Sequence, residues 1–192
     1  MENRNNSINK IDYLLNKDPF SMSTSEKHDL FCDAMYQSFS FHYENNQLFK
    51  NLCDNQQFNV SNRVDDLSQY PFIPVTIFKE KNLSSVKSKD INRTLTSSAT
   101  SGIPSKIPLD NITAKRQTIV SSKVMSSYLG NNRRKFLVLD ENPLLNNSKL
   151  IPARAAATRG FLILSNAAEY ALSSVDDKLL LNIDDFSSQL DV

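Results

Sequence analysis

The side chains best suited to chemistry are concentrated in one run, Thr96-Ser97-Ser98-Ala99-Thr100-Ser101-Gly102-Ile103-Pro104-Ser105-Lys106. Small hydroxyl residues leave backbone N–H groups accessible and add O–H donors of their own. Gly102 lets the main chain turn through positive φ. Lys106 adds a mobile point charge. Such a loop suits a polyanion, above all the phosphates of a nucleotide. It is not the strand-to-helix phosphate loop of the Walker type. No second glycine precedes Gly102 at the needed spacing, and the lysine does not adjoin it.

Other candidates are weaker. His28 and His42 fall on a long helix and read as solvated or capping residues. Arg133-Arg134-Lys135 reads as the solvated start of a strand. Asp140, Glu141 and Arg154 lie near where a site could form. Asp176-Asp177 and Asp184-Asp185 lack a third ligand at metal spacing and read as surface, so no metal-ligating set is expected. Cys32 and Cys53 have no CxxC or Cys/His spacing and read as reduced structural thiols.

The elements that must hold the loop follow from patterning. A short helix is expected around Ile8–Leu15. Ser23-Thr24-Ser25-Glu26 has the form of a capping box, and a helix should run from it to about His42. Leu30, Phe31, Ala34, Met35, Ser38 and Phe39 form its inward face. A second helix is expected over Asn46–Cys53. Pro71 and Pro74 favour an extended path, and Val75–Phe78 reads equally as a helical turn or a short strand. Two extended segments, Arg93–Thr96 and Lys106–Leu109, flank the loop in a hairpin-like setting. Pro108 puts the second at an edge.

Asp110 or Asn111 caps a helix to about Leu129, closed by Gly130. Its expected inward face is Ile112, Ile119, Val120, Val124 and Tyr128. Phe136–Leu139 reads as a central parallel strand buried on both faces. Asp140–Pro143 then forms a loop at its carboxyl edge, where open α/β sheets place ligands. Helices are expected over Ala153–Phe161 and Asn166–Leu172, and a strand over Leu179–Ile183. The class is α/β, a helical N-terminus followed by alternating strands and helices. The division expected is a helical segment over residues 1–64 and an α/β part over 65–192.

Bulk properties exclude several function classes. The 192 residues suffice for a domain with a real core. With 22 basic and 21 acidic residues the formal charge is +1. That balance provides no field for nucleic acid or an anionic membrane. No apolar run approaches the ~18 residues of a membrane span, and the polar N-terminus has no signal-like core. A cytoplasmic location is the expectation.

The stretch Ser98–Lys106 resembles the Ser-Gly-Thr-Thr-Gly-x-Pro-Lys loop of adenylate-forming enzymes, with one residue added before the lysine. Ala99 stands where that pattern has its first glycine, and Ser101 where it has a threonine. The added Ser105, Ile107-Pro108-Leu109-Asp110, Thr113 and Gln117 narrow the likeness. Tyr70–Pro74 with Phe78-Lys79, and Ala153–Phe161, narrow it further. Together they resemble the acyl-protein synthetases, or long-chain-fatty-acid–luciferin-component ligases, over roughly residues 65–172. Phenylacetate–CoA ligases are more distant relatives.

The resemblance implies the N-terminal part of an adenylate-forming large domain and an ATP-dependent ligase. A carboxylic acid, by implication a fatty acid, would become an acyl-adenylate and pass to a thiol. Ser97, Ser98, Thr100, Ser101 and Gly102 would cradle the phosphates of ATP, and Lys106 would serve catalysis by pairing with them. Mg2+ would be the counter-ion. An acyl reductase or acyl carrier would be the partner. The resemblance also implies that the adenine-binding segment and lid are not in these 192 residues. Neither Cys32 nor Cys53 matches the acceptor cysteine. The expectation is a fragment that does not complete adenylation alone. The alternative is a noncatalytic α/β scaffold, or a partner protein of an acyl-transfer complex.

Overall fold

A computed structural model describes residues 10–98, 102–142, 150–175, 178–182 and 187–188. It is mixed α/β, helical at the N-terminus and alternating thereafter. The first helix, α1, covers residues 10–16. The next two are α2 (Thr24–Asn45) and α3 (Gln47–Asn55). The capping box that starts α2 is complete: Ser23 Oγ accepts from the Glu26 N–H, and the Glu26 carboxylate accepts from the Ser23 N–H. Asn46, itself buried, ends α2 and caps α3, its side chain accepting from the Phe49 N–H at 2.9 Å.

Aromatic rings knit these helices to the segment that follows. The Phe39 ring lies 5.2 Å from Phe58, 5.5 Å from Tyr70, 5.6 Å from Tyr43 and 5.9 Å from Phe49, centroid to centroid. Such tilted and edge-on pairs add to burial through the ring quadrupoles. Tyr43 donates to Asp54 at 2.5 Å, and that bond pushes the phenol up to about 12. Cys53 is fully enclosed and Cys32 nearly so. Burial pushes both thiols up, as expected of inert structural cysteines. Phe31, placed on the inward face by sequence, is 46% exposed. Ala34 and Phe39 of that face are buried, and Cys32 joins them.

Within 75–80 the helical alternative is realised, as the single turn α4 (Ile77–Glu80). A hairpin follows. Strand β1 (Ile91–Thr96) pairs antiparallel with β2 (Lys106–Asp110) from Ile91↔Asp110 to Thr96↔Lys106. Helix α5 (Asn111–Leu129) begins directly, capped by Asp110 accepting from the Thr113 N–H. Gly130 closes it at φ +77°. Strand β3 (Arg134–Val138) comes next, then β4 (Leu150–Pro152) and α6 (Ala153–Phe161). After them come β5 (Ser165–Tyr170), β6 (Leu172–Val175) and β7 (Lys178–Leu181).

Strand β1 is central in the order β2-β1-β4, and β4 joins it in parallel. Pro108 therefore sits on an edge strand, where its missing N–H costs no ladder bond. Strands β3 and β5 form a parallel pair, and β6 and β7 an antiparallel one.

Three expectations are corrected. Residues 166–170 belong to strand β5, although Ala and Glu suit a helix; pairing with β3 overrides local propensity. Strand β3 is parallel, but among the described residues its one partner is β5. It alternates rather than being buried on both faces: Phe136 and Val138 turn inward, while Leu137 and Leu139 are exposed. Finally, Ile112, Val120, Val124 and Tyr128 lie on the exposed side of α5. The helix packs on α6 with Ser121 facing Gly160. Tyr128 meets Phe20 edge-on at 6.0 Å. The Asp184-Asp185 and Asp176-Asp177 pairs lie outside the described residues.

Two tests follow from this packing. A Cβ on Gly160 would meet Ser121 Oγ at an ordinary 3.5 Å, whereas one on Gly130 would be strained by φ +77°. Gly160→Ala should be neutral or stabilising by about 0.5 kcal/mol, and Gly130→Ala destabilising by about 1 kcal/mol, in urea melts. Asp33 holds Lys10 at 2.6 Å and also pairs with Arg63. The bond from Lys10 is the main influence keeping its carboxyl below the ordinary value. A depressed folded value means the contribution is present above the unfolded pKa and lost as pH falls through the folded one. The gap in denaturation midpoint between wild type and Asp33→Asn should therefore shrink as pH falls through the carboxylate range.

Candidate functional site

The hairpin turn spans residues 97–105, between the paired ends Thr96 and Lys106. Its base is latched twice. The Ser97 N–H donates to the Ser105 carbonyl at 3.1 Å, and the Ser105 N–H donates to Ser97 Oγ at 2.9 Å. Ser105 is buried, so this side-chain acceptor meets a donor that water does not reach freely. Ser98, Gly102 and Ile103 are exposed beyond the latch. Gly102 adopts φ +99°, and a Cβ built there would meet nothing within 4 Å. The turn thus demands glycine for its backbone angle and stands open beside it. Thr100 and Ser101, with Ala99, lie outside the described residues.

Lys106 is the first residue of β2 and is exposed. It forms no ion pair among the described residues. Its backbone is fixed by the ladder to Thr96.

Parallel pairing brings a second element to the same edge. Thr96 is in register with Pro152, the residue before α6. The N-terminus of α6 therefore opens beside the start of the loop. Pro152 provides no side-chain cap, so the first N–H groups of this helix have no capping acceptor from it. Arg154, in that first turn, reaches Asp140 at 3.1 Å and Glu141 at 3.5 Å. Those carboxylates follow the carboxyl end of β3. The ends of β1, β3 and β4 are thereby gathered together, as ligand sites of open α/β sheets are.

The structure sorts the remaining candidates. Arg133 donates to the Ser165 carbonyl, Arg134 to the Leu129 carbonyl, and Lys135 pairs with Glu169 at 2.8 Å. All three sit at the amino end of β3, away from the loop. His28 contacts the Cys32 sulfur at 3.6 Å, on the helical side of the molecule. His42 Nδ1 meets Ser85 Oγ at 2.7 Å, and burial holds this imidazole below its ordinary pKa although one side stays open. No group of three His, Cys, Asp or Glu side chains gathers at metal-binding distance among the described residues.

Sequence reasoning missed the structural part played by Ser105. It read as one more hydroxyl in the run, and its latch to Ser97 depends on cross-strand register. The α6 start was legible as a helix, but its place beside the loop required the β1–β4 pairing.

The family model described as "Acyl-protein synthetase, LuxE" matches residues 1–189. The long-chain-fatty-acid–luciferin-component ligase of Aliivibrio fischeri is 33% identical over 98 residues, which cover 51% of this chain and 25% of that protein. The protein of that name from Vibrio harveyi is 31% identical over 98 residues, with the same shares. One from Photorhabdus luminescens is 25% identical over 101 residues, covering 53% of this chain and 85% of its own length. The aligned part thus spans a quarter of the first two relatives. No solved structure matches the chain.

Removing the Ser97 hydroxyl should loosen the turn at its base. In Ser97→Ala the buried Ser105 N–H loses its acceptor, at a cost of about 1–3 kcal/mol. Amide exchange at Ser105 should quicken roughly fivefold or more, with strands β1 and β2 otherwise intact. Unchanged exchange at that amide would show that the latch does not hold the loop.

Proposed function

The chain belongs to the LuxE acyl-protein synthetase family, and from that membership we propose that it takes part in ATP-dependent activation of a carboxylic acid. ATP would be held at the hairpin turn. The carboxylate would be joined to the adenylyl group, releasing pyrophosphate, and the acyl group would then pass to a thiol, releasing AMP and the thiol proton. The observation that carries this reading is the latched turn with Gly102 at positive φ and, at its foot, Lys106, which forms no ion pair among the described residues.

The residues suit a nucleotide's phosphates. Gly102 leaves room for close approach to the backbone. Ser97 spends its oxygen as an acceptor from Ser105 and keeps its O–H to donate. Ser98, Thr100 and Ser101 would add hydroxyl and N–H donors. Lys106 would offset charge on the transferred phosphate, where such a fixed cation is worth most. The start of α6, which Pro152 does not cap, would contribute its dipole from the other side. Bound ATP supplies the leaving group that makes the carboxylate carbon open to attack, and Mg2+ would accompany it as counter-ion.

The relatives carry the name of long-chain fatty acid ligases, which supports a fatty acid as the acid activated. An acyl reductase or acyl carrier would receive the product. Among the described residues no helix is long and apolar enough to cross a membrane.

Lys106→Ala should weaken ATP binding in the presence of magnesium by roughly ten- to a hundredfold, the range for a lost charge-assisted bond. Lys106→Arg should retain most of it. Calorimetric titration of the purified chain measures both. Equal affinity in wild type and Lys106→Ala would remove the nucleotide from this loop and favour the noncatalytic scaffold.

A further inference from the structure

Behind the hairpin, between the helical N-terminus and β2, lies a cavity of about 830 Å³. That size falls within the ~300–1,000 Å³ range of small-molecule sites. Its wall is mainly carbon. Phe41 comes from α2, Phe49 from α3, Phe78 from α4, Leu83 and Val86 from the following loop, and Leu109 from β2.

Several polar groups in the wall are already engaged, while Gln37 Oε1 is buried there with no hydrogen-bond partner among the described residues. His42 bonds Ser85, and the Ser84 carbonyl accepts from Asn46 at 3.2 Å. Asp110 caps α5, and Arg116 pairs with Asp12 at 2.8 Å. Lys89 and Asp90 add one charge of each sign. Burial keeps His42 on the neutral side of its ordinary titration. A wall of apolar side chains with balanced charge selects a neutral, apolar body.

Strand β2 links this cavity to the loop. Lys106 stands at its loop end, and Ile107–Asp110 run along the cavity wall. Four residue steps of an extended strand cover about 14 Å. A ligand reaching from one to the other must be long, with a polar head and an apolar remainder.

We propose that this cavity holds the hydrocarbon tail of the carboxylic acid, an unbranched aliphatic chain, with the carboxylate directed toward the hairpin turn. The assignment rests on the activation reading for the identity of the head group. The tail site itself rests on the cavity. Phe41, Leu83 and Val86 are then the residues that set chain length.

The test uses the full chain and straight-chain acids from butyrate to hexadecanoate, displacing the fluorescent polyene cis-parinaric acid. Affinity should rise about fourfold for each methylene buried and level off once the cavity is filled. The matching alcohols should follow the same slope with a lower intercept, which separates tail from carboxylate. Val86→Trp and Leu83→Trp should shorten the preferred chain and weaken hexadecanoate about tenfold or more.

Because a tryptophan in the cavity can also unfold the protein, a diazirine-bearing hexadecanoate is cross-linked to wild type and mapped by mass spectrometry. Label on Phe41, Leu83, Val86 or β2 supports the proposal. Label confined to other segments, no displacement by any acid, or a folded Val86→Trp with undiminished affinity overturns it. Nucleotide titration of the same sample keeps the two readings apart. ATP binding without cavity label sinks the tail site alone. Cavity label without ATP binding leaves an aliphatic-chain site and sinks the nucleotide.

Discussion

Strand β1 is the constraint on which the rest of the architecture depends. Among the described residues it is the strand that pairs on both sides, antiparallel with β2 and parallel with β4. The antiparallel partner closes the turn and sets Lys106 opposite Thr96. The parallel partner sets the start of α6 beside that same turn. A slip of one residue along β1 would reverse which side chains face inward on its neighbours. It would also part Ser97 from Ser105. The register is held by the buried Leu109 and Ile151 on the two flanking strands, whose side chains cannot be moved to water without loss.

Much of this was legible in the chain, and the reasons differ from element to element. The capping box at Ser23 and Glu26, the Asp110 cap and the Gly130 terminus are local chemistry, and local chemistry reads directly. The hairpin was readable because Gly102 and Pro104 interrupt two extended segments. Pro108 marked the edge for a reason internal to the residue. What failed was long-range. Ser165–Tyr170 is composed like a helix and is a strand because β3 lies beside it. The exposed stripe on α5 is apolar by type, yet the side that packs on α6 carries Ser121 beside Gly160.

The site shows the same division. Gly102 and Lys106 stood out by type and spacing. The Ser105 latch, the α6 start and the bridge from Arg154 to Asp140 and Glu141 depend on register and crossover, which no window of sequence contains. The cavity is further still from sequence. Its wall draws on helices, a loop and a strand spread from Phe41 to Leu109 and beyond. Turn and cavity nevertheless meet in one strand, since β2 starts at the first and lines the second. A distortion of β2 would be felt at both.

The enclosed sulfur of Cys53 has a practical corollary. With no solvent contact and a thiol biased toward its protonated form, it reacts with an alkylating reagent only when the α2–α3 pair comes apart. Its modification rate under native conditions is therefore a clock for opening of the helical layer, readable without any introduced probe. Cys32, near the Asp65 carbonyl at 3.3 Å, keeps separate time for the loop that crosses α2.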